Sequence, residues 1–259
     1  MAFSPAYEIR NVRLSEVIAS TNGGGGKRPL APGEVIVATA QPEECDPAMD
    51  STLVLLLSED EKARMDRFRF DRDRRLFLLS HGLLRMTLSL YARVEPHAWQ
   101  FRTGEHGRPE IAEPFSRLRF NISHTRGLAA CAIVLDSDIG FDVEETSKDV
   151  LIDNLESFFS AREAEALRST PSEGHRERFF TYWTLKEAYI KARGVGLSIS
   201  LGRFSMYEDS ESVWRISFHL PLKDDPDRWW FWSSRVTENH QAALALSPAF
   251  PQAPDLKRL

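Results

Sequence analysis

Ser160-Ala-Arg-Glu163 repeats, in the second half of the chain, the pattern of Ser58-Glu-Asp-Glu61 in the first. Both have capping-box spacing: the serine side chain accepts from the backbone N–H three residues on, and the glutamate reaches back to the serine N–H. Each box is followed by a short helix and then by a longer one. In the first half, Asp71 opens a helix whose Leu76, Leu79, Leu83, Met86 and Leu90 recur at three- and four-residue steps. In the second, Pro171–Gly174 reads as a break and Glu177–Arg193 as a long helix, which Gly194 can end in a left-handed cap. Strand signals surround these helices. Thr52–Leu57 reads as a buried strand, Leu118–Phe120 and Leu128–Leu135 as a pair joined by a turn, and Ile139–Glu144 as a further strand. Phe204–Glu208, Val213–Leu220, Trp229–Val236 and Gln241–Leu246 alternate as an antiparallel meander, with Trp229-Trp-Phe-Trp232 covered on both faces. The expectation is an α+β fold of two similar lobes meeting at a pseudo-twofold seam. The boundary falls near Asp136–Asp138, giving an N-terminal lobe over 1–136 and a C-terminal lobe over 137–259. Thr21–Arg28, rich in glycine, is read as a loop, and the proline-rich stretch after Ser247 as a loosely held tail.

A chain of 259 residues, 42% hydrophobic and 27% charged, can bury a real core. Its net charge of -5 opposes a general nucleic-acid binder, whose field is basic. Two distant cysteines, Cys45 and Cys131, make neither a disulfide framework nor a zinc site. With no apolar run of membrane-spanning length and no signal-peptide pattern at the N-terminus, the expected setting is the cytoplasm, away from membranes.

Three segments carry chemistry. In Ile139-Gly-Phe-Asp-Val-Glu144, Asp142 and Glu144 stand two apart, so a strand projects both carboxylates from one face, where they can share a cation. In Trp183-Thr-Leu-Lys-Glu-Ala-Tyr-Ile-Lys191, Glu187 and Lys191 stand one turn apart beside Trp183; taken alone, such a pair is an ordinary helix-surface ion pair. In Phe120-Asn-Ile-Ser-His124, Asn121, Ser123 and His124 sit where a strand gives way to a turn. They can fix that turn through local hydrogen bonds, or Ser123 and His124 can donate to phosphate oxygens. A hydrolase reading fails for want of a Gly-x-Ser-x-Gly elbow.

Together with Gly107-Arg-Pro109 and Gly194-Val-Gly-Leu197, these segments make the chain resemble the Sfp-type 4′-phosphopantetheinyl transferases over roughly Leu53 to Ser205. The resemblance implies two α+β lobes with the active site between them. It implies that Asp142, Glu144 and Glu187 hold Mg²⁺, with Asp142, Glu187 and Lys191 forming the catalytic set. The co-substrate implied is coenzyme A, contacted by Gly107, Arg108, Asn121, Ser123, His124, Lys186 and Lys191, and by Arg72 in an arginine-rich segment. Mg²⁺ prefers a few carboxylates, phosphate oxygens and water, which agrees with that set. Lys191 and Lys186 would neutralise charge on departing 3′,5′-ADP, and Glu187 would take the proton of the attacking serine, directly or through water. The implied partner is an apo acyl or peptidyl carrier protein, met by a monomer. Carrier proteins usually present acidic helices, so recognition by an acidic enzyme would rest on a local patch. Two other readings stand beside this one: a non-catalytic carrier-binding module, and a metal-dependent nuclease. Glu187→Ala separates enzyme from binder, because only the enzyme depends on that carboxylate.

Overall fold

A computed structural model describes residues 7–22, 28–104, 107–148, 155 and 158–248. Most of the glycine loop (23–27), His106 and the tail beyond Pro248 lie outside them. In chain order the elements are β1 (Glu8–Arg13), α1 (Leu14–Asn22), β2 (Glu34–Ala40), α2 (Met49–Leu56), α3 (Glu59–Met65), α4 (Asp71–Tyr91), β3 (Gln100–Thr103), β4 (Pro109–Glu113), β5 (Leu118–Thr125), β6 (Leu128–Leu135), β7 (Ser137–Glu145), α5 (Ala161–Arg168), α6 (Ser172–Arg193), β8 (Phe204–Glu208), β9 (Trp214–Phe218), β10 (Trp230–Thr237) and β11 (His240–Pro248). This is an α+β fold. A four-stranded sheet runs β1-β2-β6-β5 and a three-stranded sheet β10-β11-β7, with β3-β4 and β8-β9 as separate pairs.

Both capping boxes form. The Ser58 and Ser160 hydroxyls accept from the Glu61 and Glu163 N–H groups, and both glutamates reach back. Each short helix then leads to a long one laid on a sheet. Alternation along the strands explains the layering. On β6, Ala129, Cys131 and Ile133 face α4, while Leu128, Ala130, Ala132 and Val134 face the other sheet. On β11, Ala243 and Ala245 belong to the core around α6, while Ala242, Leu244 and Leu246 meet β6. Phe141 and Val143 of β7 join that middle core. Because both faces of β6 and β11 are covered, Leu128–Leu135 and Ala242–Leu246 read as unbroken apolar runs rather than as alternating ones.

Four expectations change. Thr52–Leu57 is not a strand: Thr52–Leu56 lies in α2 and Leu57 is its C-cap, while Leu53 packs over Gly82 of α4 and Leu55 is 73% exposed. A short apolar run does not distinguish strand from helix by periodicity. Residues 121–124 do not leave the strand, since β5 continues to Thr125 and a two-residue turn follows, with Gly127 at φ 78°. Pro171–Gly174 is not a gap, because Pro171 caps α6 and Ser172 begins it. The C-terminal strands do not form one meander: β8 and β9 pair only with each other, and β11 bridges β10 to β7. The helix end at Gly194 (φ 63°) and both faces of the tryptophan strand agree with expectation: Trp229 and Phe231 lie in one core, and Trp230 and Trp232 pack against the middle one.

Glu61 does more than cap. It accepts from Arg85 Nη2 at 2.6 Å and pairs with His81 Nδ1 at 2.7 Å, tying α3 to α4. Burial alone would raise its pKa. The hydrogen bond and charge of His81, the Ser58 N–H and Arg85 outweigh that and bring it to about 2. The unfolded chain therefore binds the extra proton between about pH 4.5 and 2, so this contribution is fully present above 4.5 and is lost as pH falls toward 2. At about 1.36 kcal/mol per unit the contribution is on the order of 3 kcal/mol. Urea melts at pH 6 and pH 2.5 should show the stability gap between the protein and Glu61→Gln shrinking as pH falls; a constant gap would refute the assignment.

Candidate active site

Gly140 allows the site to form. A Cβ there would lie 1.9 Å from Ala188 O and 2.3 Å from Ala192 N, so α6 lies with its backbone directly on β7. Gly140, Asp142 and Glu144 share one face of the strand, and the helix brings Glu187 and Lys191 to it.

Lys191 does not pair with Glu187 along the helix. Its Nζ donates to Asp142 Oδ1 at 2.7 Å, Ser123 Oγ at 3.0 Å and Phe141 O at 3.1 Å. Asp142 is buried, and its second oxygen, Oδ2, has no hydrogen-bond partner. Burial and then the charge of Asp142 raise the pKa of Glu144 and likewise of Glu187. Lys191 offsets this in part at Glu187; at Glu144, Lys148 and hydrogen bonds from Thr125 and Trp183 do so. Three carboxylates are thus met by Lys191 and, 3.7 Å from Glu144, by the exposed Lys148, which leaves negative charge in excess there. Among the described residues no three His, Cys, Asp or Glu side chains are already drawn into a metal-ligand cluster.

Glu187 and Lys191 line a cavity of about 250 Å³ together with Gly107, Arg108, Asn121 and Gly194. Arg72 and His124 lie elsewhere, in a cleft of about 900 Å³ that also takes in Arg75 and Arg126. Arg72 is exposed, over the Phe70 ring and 3.5 Å from Asp73. Partial burial and then Lys191 lower the pKa of the His124 imidazole, whose surface stays open to solvent.

One assignment is corrected outright. Lys186 is not at the site. It is fully buried, with its Nζ donating to both Glu163 oxygens at 2.8 and 2.6 Å and to Phe204 O at 2.7 Å. One step along the helix from Glu187 turns it away, toward α5 and β8. Ser123 is also buried, and its hydroxyl donates to Asp142 Oδ1 at 3.0 Å. Arg108 reaches the cavity wall, yet its guanidinium donates to Lys191 O (3.2 Å), Ala192 O (3.0 Å) and Ile139 O (2.9 Å), capping the end of α6 against β7. Asn121 lines the cavity while its Oδ1 accepts from Phe141 N at 3.1 Å. Thr125 was not singled out in the sequence, although the alternation Asn121, Ser123, Thr125 places it on the same face. Its hydroxyl donates to Glu144 Oε2 at 3.2 Å.

Among the described residues no helix is long and apolar enough to cross a membrane, and Cys45 and Cys131 are both free. Comparison with known families matches residues 138–245, which carry β7 and α6, to the 4′-phosphopantetheinyl transferase superfamily. Residues 44–134 match the family described as 4′-phosphopantetheinyl transferase, N-terminal. The chain is 42% identical over 149 residues to 4′-phosphopantetheinyl transferase HetI of Nostoc sp., covering 56% of this chain and 63% of that protein, a little under two thirds of it. It is 33% identical to 4′-phosphopantetheinyl transferase psf-1 of Bacillus pumilus, over 63% of this chain and 70% of the relative. Against 4′-phosphopantetheinyl transferase Sfp of Bacillus subtilis it is 30% identical, over 76% and 85%. The matched span contains the whole acid and lysine arrangement of β7 and α6, and the chain belongs to the 4′-phosphopantetheinyl transferase superfamily.

Proposed function

We propose that this protein transfers the 4′-phosphopantetheine group of coenzyme A to a serine of an apo acyl or peptidyl carrier protein, as a cytoplasmic monomer of two lobes, 1–136 and 137–259. One observation carries the reading most of the way: a buried carboxylate oxygen, Asp142 Oδ2, is left without a partner amid Glu144, Glu187 and Lys191. The donor set fits Mg²⁺, a hard ion that takes carboxylates together with phosphate oxygens and water. Asp142, Glu144 and Glu187 would hold it. Bound there, it would supply positive charge to the diphosphate of coenzyme A.

In the reaction the carrier serine oxygen forms a bond to the β-phosphorus, and the bond from that phosphorus to the bridging oxygen breaks. The electron pair leaves with 3′,5′-ADP. Glu187 takes the serine proton, directly or through a water. Lys191, held at the cavity wall, meets the charge that grows on the leaving phosphate. Arg72 and His124, in the larger cleft, suit the 3′-phosphate end of the nucleotide, and Gly107 and Asn121 line the space beside the reacting groups.

Incubating the protein with coenzyme A, Mg²⁺ and a panel of apo carriers should add one phosphopantetheine to at least one of them, read by mass spectrometry. Chelation of the metal should abolish the transfer. Glu187→Gln should lower kcat by roughly 10²–10⁴-fold, the usual contribution of a positioned base. The same change relieves repulsion among the three acids, so its metal-free Tm should not fall. A variant that keeps wild-type turnover, or a panel left wholly unmodified, would refute the reading.

A further inference from the structure

The polar stripe of β5 holds the two halves of the site in register. Asn121 Oδ1, Ser123 Oγ and Thr125 Oγ1 accept in turn from the N–H groups of Phe141, Val143 and Glu145 on β7, at 3.1, 3.3 and 3.3 Å. Alternate residues of one strand thus pair by side chain with alternate residues of the other. Two of the three stripe residues then pass a hydrogen onward. Ser123 donates to Asp142 Oδ1 at 3.0 Å, and Thr125 donates to Glu144 Oε2 at 3.2 Å.

A hydroxyl has one hydrogen and two lone pairs. Ser123 uses all three: its hydrogen on Asp142, and its lone pairs on Val143 N and Lys191 Nζ. Asp142 Oδ1 in turn takes both Ser123 and Lys191, which leaves Oδ2 as the uncommitted oxygen of that carboxylate. Glu144 takes the Thr125 hydroxyl on Oε2, which also lies 3.7 Å from Lys148 Nζ, and Trp183 donates to the same carboxylate.

From this geometry we infer that Ser123 and Thr125 are positioning residues, which fix the rotamers of Asp142 and Glu144 so that Asp142 Oδ2 stays directed at the cation and the Glu144 carboxylate is held beside it. The inference rests on the metal site proposed above and adds the hydrogen bonds that aim it. Ser123 therefore acts on the cation through Asp142.

Titration with Mn²⁺, followed by electron paramagnetic resonance with and without coenzyme A, separates the possibilities. Ser123→Ala and Thr125→Val should each weaken Mn²⁺ binding about tenfold, the lower end for partners that orient metal ligands. Ser123→Thr and Thr125→Ser keep the hydroxyl and should restore affinity, which a merely structural effect on the strand seam would not require. Wild-type Mn²⁺ affinity in both hydroxyl-deleted variants, or no recovery in the hydroxyl-keeping ones, would overturn this inference alone. If the unaltered protein takes up no Mn²⁺ under either condition, the metal site itself is refuted, and this inference with it.

Discussion

Lys186→Met should destabilise the protein by about 3–5 kcal/mol, the cost of breaking a buried ion pair from one side. The reason lies in what Glu163 would lose. That carboxylate is fully buried and accepts from Lys186, Met206 N, Ser160 N and Ser160 Oγ. Without the ammonium it keeps its neutral donors but has no countercharge. Burial pushes the Lys186 pKa down to about 8, and the carboxylate on its Nζ keeps it from falling further. Chemical denaturation should show a large drop in midpoint, while the fraction that remains folded should keep the Michaelis constant for coenzyme A unchanged. A well-folded Lys186→Met with a raised Michaelis constant would return the residue to the nucleotide site. Glu163→Ala should be comparably damaging, since it removes the countercharge and the capping box together.

That lysine also marks where sequence reasoning stops. Helix α6 was legible because its end carries a glycine that adopts φ 63° and its start lies just beyond a capping-box helix. Which way each of its side chains points was not. The helix buries Thr184, Leu185, Lys186, Ala188, Tyr189, Ile190 and Ala192 and leaves Trp183, Glu187 and Lys191 half-buried along one face, a stripe that no change from apolar to polar residues marks in the sequence. Lysines at 186 and 191 then look equally available, and only the neighbours supplied by α5, β5 and β7 distinguish them. The same limit applies to Lys191, whose spacing from Glu187 suggested a pair along the helix but whose partner is Asp142 on another element. The pairing of Asp142 with Glu144, by contrast, needs only a strand, and Gly140 just before them marked a close approach. Thr125 was missed because the Asn121–His124 stretch was read as entering a turn, which ended the alternation too early. The role of Arg108 was hidden because its acceptors are backbone carbonyls, which no sequence pattern displays.

Gly140→Ala should be the most costly single methyl in the site. The added carbon would fall 1.9 Å from Ala188 O and 2.3 Å from Ala192 N, and both are backbone atoms of a helix that cannot swing aside as a side chain can. Either β7 or α6 must move. Overpacking of a core costs about 1–3 kcal/mol, and a contact against backbone belongs at the upper end or beyond. The catalytic loss should be larger than the loss of stability suggests. Asp142 and Glu144 travel with β7, and Glu187 and Lys191 travel with α6, so separating the two elements takes the acids from the lysine and the base. A displacement of about 1 Å at reacting groups can cost about 10²-fold in rate. Gly140→Ala should therefore lose roughly 10²-fold or more in kcat, and the Lys191–Asp142 contact of 2.7 Å should lengthen. Every charged group of the site remains present in this variant, so the loss would report their arrangement alone. Turnover kinetics beside a structure of the variant test this directly. Near-normal kcat in a folded Gly140→Ala would mean that the site tolerates separation of β7 from α6, and the geometry argued here would not be the one that works.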